Sequence, residues 1–591
     1  MGVRPHVPQK RGAGRGRGRP EQGPDPHPRP APESLTYFRR ALEALKETPE
    51  AGEERELLIH NVLRELEPQA AALATDRAGS AMLQRLLARS PAGPLRALLA
   101  ALLPHLRSVA CHRSGAHVLQ SALLRLPGLP GALADKAGAP DSLEELVLRL
   151  ASEVRGALAL YGGDTHGSFV VRTLLQVLGG TILEPQAADG LQGPARERTP
   201  VSFEVPDTFL GCLRELCSCF LQDISVFITH KVSSFCLQVA LQVLHRRLPE
   251  ACGRLCDSVI GYLSARNPAA DGSPLLLFLR DQTSSRLLEH VLLVSEPRQL
   301  QALFEGHFRG QLGALAEHPI ANFPLQRFLD AITAPELLSP VFEELSPALE
   351  AALARGHPGV VVALVGACRR VGTHQAQVLR LLLEAFHCAE PPSRHVACVP
   401  LFGSLTAYEV YYGVEEEEEV PSEHKLEVAA ARPLGEVTVP GSLLVQHLLH
   451  FSTLGPVLRS LASLEGPQLV ALAQSPAGSH ILDAVLTSST VTRKQRRKVL
   501  RPLKGHYVAL ACSRHGSRVL DAIWNEAALG TRKEIAAELG EQEQQLMRDP
   551  FGHHVARNVG LGTFLKRRGD WEQQQGAVAK RRKALSTILG D

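Results

Sequence analysis

A short pattern returns along this 591-residue chain at nearly constant spacing, and no other feature limits its folding choices as strongly. Asp76-Arg77-Ala78-Gly79-Ser80-Ala81-Met82-Leu83-Gln84 aligns with Ser475-Pro476-Ala477-Gly478-Ser479-His480-Ile481-Leu482-Asp483, and with Ser513-Arg514-His515-Gly516-Ser517-Arg518-Val519-Leu520-Asp521. Each copy holds a polar turn, a small residue, a polar marker, a variable side chain, two apolar positions and a polar end. A unit of 36 to 38 residues implies stacked helical repeats, each burying its apolar face on its neighbours.

The residue after the small one sets the register. The markers are Ser80, Ala116, Ser168, Ser234, Ser285, Asn322, Val360, Ser442, Ser479, Ser517 and His553. Successive gaps are 36, 52, 66, 51, 37, 38, 82, 37, 38 and 36 residues. The long gaps hold insertions that read as loops or extra helices, near 126–141, 179–206, 265–273 and 414–422. The position before each marker is Gly, Ser or Ala, which lets two helices approach closely at the turn. An apolar residue seven positions upstream, such as Leu73, Val109 or Leu510, ends the first helix. Apolar pairs such as Val118-Leu119 and Val170-Val171 mark the buried side of the second helix. The stretches between are rich in Leu and Ala, strong helix formers, and no strand-period segment recurs.

On a helix the marker and the position four residues on share a face, and the position after the marker lies beside them. All three are expected opposite the apolar pair, lining one surface. The triples are Ser80/Ala81/Gln84, Ala116/His117/Gln120, Ser168/Phe169/Arg172, Ser234/Phe235/Gln238, Ser285/Arg286/Glu289 and Asn322/Phe323/Gln326. They continue as Val360/Val361/Leu364, Ser442/Leu443/Gln446, Ser479/His480/Asp483, Ser517/Arg518/Asp521 and His553/His554/Arg557. Eight of the eleven middle residues are Phe, His or Arg, side chains that lie flat against a nucleobase. Most flanking residues carry groups that hydrogen-bond a base edge. A stacker between edge readers, once per unit, is what recognition of single-stranded RNA by repeats requires. For one serine taken alone, a helix N-cap is the ordinary reading. The recurrence carries the assignment, and Val360/Val361/Leu364 reads as structural.

These triples resemble the Pumilio (PUF) repeat family. Gly163-Asp164-Thr165-His166-Gly167-Ser168-Phe169-Val170-Val171-Arg172, Asp281-Gln282-Thr283-Ser284-Ser285-Arg286 and Asp549-Pro550-Phe551-Gly552-His553-His554-Val555-Ala556-Arg557 are similar to its divergent nucleolar branch. The resemblance covers roughly Leu35 to Leu589. It departs from the eight-repeat members in unit number, in the lost triple of the seventh unit, and in Asp or Arg at some last positions. The resemblance implies an all-α, Pumilio-type α-solenoid of about eleven repeats, curved or U-shaped. It also implies a nucleolar protein that binds single-stranded or structured pre-rRNA in small-subunit precursor particles and times 18S rRNA processing. Under the family's code, Ser285/Glu289 favours guanine and Asn322/Gln326 uracil, while Ser80/Gln84, Ser234/Gln238 and Ser442/Gln446 favour adenine. Ser479/Asp483, Ser517/Asp521 and His553/Arg557 have no standard reading, so backbone or shape contact is expected toward the ends.

The expected RNA-binding set is therefore Ser80, Gln84, His117, Gln120, Ser168, Phe169, Arg172, Ser234, Phe235, Gln238, Ser285, Arg286, Glu289, Asn322, Phe323, Gln326, Ser479, His480, Ser517, Arg518, His554 and Arg557. Net charge is only +3, from 64 basic and 61 acidic residues, so affinity must come from local patches. Residues 1–33 read as a disordered Arg/Gly/Pro-rich tail, 34–562 as the repeat array, and 563–591 as a basic C-terminal helix or tail. Lys566-Arg567-Arg568 and Lys580-Arg581-Arg582-Lys583 suit phosphate contact or nuclear import. Glu415 to Glu419 would repel phosphate and reads as a solvated loop, or one that binds a partner.

The 11 cysteines are scattered, and neither Cys217/Cys219 nor Cys252/Cys256 completes a zinc site. Neither a signal peptide nor an unbroken run of 18 apolar residues is present. Asp164, His166 and Ser168 sit too close in one turn to form a relay, and no nucleotide-binding or HExxH motif occurs. The expectation is a monomeric binding protein with no cofactor, no metal and no membrane contact. The competing reading is an armadillo- or HEAT-like scaffold that holds a peptide without touching RNA.

Overall fold

The computed structural model describes residues 30, 32–47, 53–129, 131, 142–183, 200–265, 273–413 and 433–577. The acidic run at 415–419, the cluster at 580–583, most of the 1–33 tail and much of each expected insertion lie outside these residues. Among the described residues the fold is α-helical apart from one two-stranded ribbon.

Every repeat ends in a helix that carries a triple, and these helices are labelled α1 to α11. They span Arg77–Leu87, Arg113–Arg125, Gly167–Leu178, Ser233–Arg247, Ser284–Val294, Asn322–Ala331, Pro358–Val371, Val439–Leu448, Ser479–Thr487, Gly516–Glu526 and Gly552–Val559. The sequence suggests one helix before each of them, but the structure often gives two. In the second repeat, Ala92–Leu102 is followed by a 3₁₀ turn, Leu103–His105, and a short helix, Leu106–Ala110. Pro104 is the physical cause, because a proline in a helix interior removes one hydrogen bond and clashes with the preceding turn. Pro68, Pro347 and Pro502 mark the same kind of break.

The small residue before the marker has a strict packing reason. A Cβ at Gly79 would stand 2.5 Å from the Leu73 carbonyl oxygen, and one at Gly478 2.6 Å from that of Leu472. Each oxygen belongs to the apolar residue seven places before the marker. The short helix is therefore pressed against the backbone of the next. Where Ser284 replaces glycine, its hydroxyl donates to the Phe278 carbonyl at 3.1 Å.

The insertion at 179–206 corrects the expectation of loop or helix. Its described ends pair as antiparallel strands, β1 (Thr181–Ile182) with β2 (Val201–Ser202). Gly180 turns the chain into the ribbon with φ +59°, in the region that glycine adopts without strain.

The chain divides into two compact units. The first comprises residues 1–185 and 199–243, the second 186–198 and 244–591. In the first unit α1 packs on α2 and α2 on α3. In the second, α5 to α11 pack in sequence, each on the next. The apolar pairs form both cores: Val118, Leu119, Val170 and Val171 are fully buried in the first, and Leu444, Val445, Ile481 and Leu482 in the second. Full burial of such side chains contributes about 1.5–3 kcal/mol each. At the C-terminal end Trp571 is buried, packs edge-on to Phe564 and donates its indole N–H to the Val559 carbonyl at 2.8 Å. That contact ties residues 563–577 to α11.

Candidate nucleic-acid interface

Ten of the eleven helices of the row are capped by a side chain four residues before the marker, not by the marker itself. Asp76 Oδ1 accepts from the backbone N–H groups of Ala78 and Gly79, both at 2.8 Å. Asp164, Asp281 and Asp549 hold the same two positions in their repeats. His318 Nδ1, Ser475 and Thr438 accept from one or both of these N–H groups elsewhere. Capping satisfies amides that the first helical turn leaves without a partner. The ordinary reading of the marker serines as N-caps is thereby excluded. The seventh repeat alone lacks the capping side chain: Gly356 stands there with φ +76°.

The markers depart from expectation in another way. Ser80, Ser168, Ser234, Ser285, Asn322 and Ser442 are each no more than 3% exposed, so they lie beneath the surface instead of lining it. Close approach of successive helices buries them. Ser80 Oγ donates to the Ser114 carbonyl at 2.9 Å and Ser442 Oγ to that of Ala477 at 2.6 Å, each bridging to the following repeat. Ser479 and Ser517 are also buried and donate within their own turns. A hydroxyl that donates its proton still accepts, and Gln84 and Gln446 use that capacity at 3.0 and 2.9 Å.

The middle residues point the opposite way. Ala81, His117, Phe169, Arg286, Phe323, Leu443, Arg518 and His554 are exposed, and Phe235 and His480 are half-buried. Phe323 is 49% and Phe169 39% exposed, unusual for phenylalanine inside a regular helix. Val361 is the exception, buried with Val360 and Leu364 as the sequence indicates.

In the first unit the third and fourth repeats meet around one guanidinium. Arg172 Cζ lies 4.3 Å from the centroid of the Phe169 ring and 5.5 Å from that of Phe235. Its Nε donates to the Ser168 carbonyl at 3.2 Å, and burial pulls its pKa below the usual arginine value. Beside it, Gln120 Nε2 donates to Thr173 Oγ1 at 3.2 Å while its Oε1 faces His117 Nδ1. Gln238 is only 4% exposed, and its Nε2 has no partner among the described residues.

In the second unit the last positions are mostly engaged. Glu289 pairs with Arg327 at 3.5 Å, and burial raises its carboxyl above the ordinary value against the pull of that arginine. Gln326 Nε2 donates to Asn322 Oδ1 at 2.9 Å. His480 faces Asp483 at 3.5 Å, and Asn558 reaches Asp521, whose carboxyl burial also raises. The rings of His553 and His554 lie 3.8 Å apart between centroids, tilted by 38°, and Arg557 is exposed. The arrangement suits flat, polar ligands: rings and guanidinium planes on the surface, with amide and carboxylate groups one helical turn away.

No group of three or more His, Cys, Asp or Glu is placed to hold a metal among the described residues, and none of the described helices is long and apolar enough to cross a membrane. Seven of the eleven cysteines are buried, and none is joined in a disulfide. The basic helix Arg493–Leu500, which the sequence reading passed over, is also part of the charged surface. Its signal was a plain run of Lys and Arg.

A family model described as the NOP9-like PUF repeat domain matches residues 69–554. The chain is 69% identical to Nucleolar protein 9 of Homo sapiens over 578 residues, 95% of this chain and 91% of that protein. It is 66% identical, with the same coverage, to Nucleolar protein 9 of Mus musculus. A solved structure of APUM23-GGAAUUGACGG is similar at a TM-score of 0.73 with 23% identity, over 93% of this chain and all of that one.

Proposed function

The chain belongs to the NOP9-like PUF repeat family, and from that premise we propose that its row of exposed stackers binds pre-rRNA and so regulates 18S rRNA processing. It is a nucleolar RNA-binding protein of ribosome biogenesis. The observation that carries the reading of the row is the exposure of Phe169, Arg286, Phe323, Arg518 and His554 at one register, each directly after a buried or half-buried marker. Bases stack on these planes, and the last positions of the triples meet their edges.

Net charge is near balance, so attraction to phosphate comes from local basic patches and not from the chain as a whole. Within the second unit, Val360, Val361 and Leu364 present no stacker and no edge reader, so α7 is a spacer between the readers of α5–α6 and those of α8–α11. Base preference is therefore expected in the middle repeats, and backbone or shape contact toward the ends.

Mechanistically, a bound array covers a stretch of precursor RNA and sterically delays endonuclease access until release. Two experiments test the reading. A salt-dependent gel shift with small-subunit precursor RNA is expected to show tight binding that weakens with salt. A reconstituted cleavage assay is expected to slow as the protein is added. Absence of binding at low salt would instead favour a peptide-binding scaffold.

A further inference from the structure

Seven of the twelve residues from 493 to 504 are Lys or Arg, and none is acidic. Two are accounted for within the fold. Arg496 Nη2 donates to the Ser488 carbonyl at 2.5 Å with Nη1 3.9 Å from Glu526, and Lys504 stands 3.9 Å from Glu534. The other five, Arg493, Lys494, Arg497, Lys498 and Arg501, are exposed and form no ion pair with any described residue. They fall in rows four residues apart, 493/497/501 and 494/498, where like charges repel and weaken a helix. Such an arrangement is stabilised by an external anion.

The helix that carries them is held rigidly. Thr492 and Gln495 form a reciprocal capping box, and Val499 is buried beneath. It packs on the outer helix Gly455–Ser463, whereas α9 and α10 pack on each other. The cations therefore sit in a different layer from His480 and Arg518. A receptor that reads basic runs as extended peptide would have to melt this helix. A phosphate backbone would not, since it takes a fixed array of point charges without regard to sequence.

We propose that the face of the helix Arg493–Leu500 and the adjoining Arg501 binds the phosphate backbone of RNA extending beyond the base-reading row. This rests on the RNA-binding reading above. Two probes test it with the full chain: GGAAUUGACGG alone, and the same RNA extended by a hairpin. The variant R493Q/K494Q/R497Q/K498Q should melt as the wild type does and bind the short RNA equally well. On the extended RNA it should lose about tenfold or more in affinity, and the slope of log K against log salt should fall by roughly 0.7–0.9 per lost phosphate contact. The charge-conserving variant R493K/R497K should keep both affinity and slope. Equal affinity and slope for wild type and glutamine variant on the extended RNA would overturn the proposal, as would a wild type that gains nothing from the hairpin. A glutamine variant that binds both RNAs normally but leaves the nucleus would make the face an import site and overturn it too. A wild type that binds neither RNA overturns the underlying reading instead.

Discussion

Arg172 stacks on Phe169, its guanidinium carbon 4.3 Å from the ring centroid. The plane that a base would meet in the third repeat is therefore composite, part ring and part guanidinium. Phe169→Ala is expected to weaken RNA binding by about 1–3 kcal/mol, the range for one base–aromatic stack. Arg172→Lys should also weaken it, because an ammonium keeps the charge but lacks the plane. Fluorescence anisotropy at one salt concentration measures both, and wild-type affinity in the two variants would remove this repeat from the interface.

Glu289 is the carboxylate expected to read guanine, and Arg327 holds it at 3.5 Å. Glu289→Gln should shift selection away from guanine at one RNA position and leave the others unchanged. Sequencing RNA pools selected on each protein checks this. An unaltered motif would mean that the carboxylate serves Arg327 alone.

A Cβ at Gly516 would lie 2.8 Å from the Leu510 carbonyl oxygen, with the Leu510 Cα at 3.1 Å behind it. Backbone cannot rotate aside as a side chain does, so Gly516→Ala should cost about 1–3 kcal/mol. Gly530 has nothing within 4 Å of its Cβ direction, and alanine there should be neutral or stabilise by about 0.5–1 kcal/mol. Denaturant melts of the pair separate the packing cost from helix propensity.

His447 is held to about pH 4 by burial first, and then by Arg369, Arg370 and His450. A histidine depressed in the folded state adds stability that is complete above its unfolded value near 6.5. That contribution is lost as pH falls from there toward 4, where the unfolded chain binds a proton and the folded one does not. The unfolding midpoint should drop across this window and drop less in His447→Gln. Parallel curves for the two proteins would show that His447 is not the group responsible.

Leu364 is fully buried at the position where other repeats carry an edge reader. Leu364→Ala should cost about 2–5 kcal/mol of stability by leaving a cavity. RNA affinity below the melting transition should stay unchanged, and a loss of affinity there would place α7 within the interface.

Much of the row was legible because its signals are local. The apolar pairs, the small residue before each marker and the apolar residue seven places upstream repeat in sequence, and each follows from how one helix turns into the next. Missed signals were local as well. Asp, His, Ser or Thr four residues before ten of the eleven markers announces the cap, and prolines such as Pro104 announce the broken outer helix. The basic helix Arg493–Leu500 went unnoticed because a run of charge does not say whether its cations find partners.

Periodicity alone thus determined an all-α stack of eleven repeats and the outward register of Phe169, Phe323 and Arg518, because 3.6 residues per turn assigns each position to a face. Only the tertiary structure decided that the marker serines lie buried, that Arg172 fills the space between Phe169 and Phe235, and that Glu289 is paired with Arg327. Each of those depends on how closely one helix approaches the next, a distance set by the packing of side chains from separate repeats.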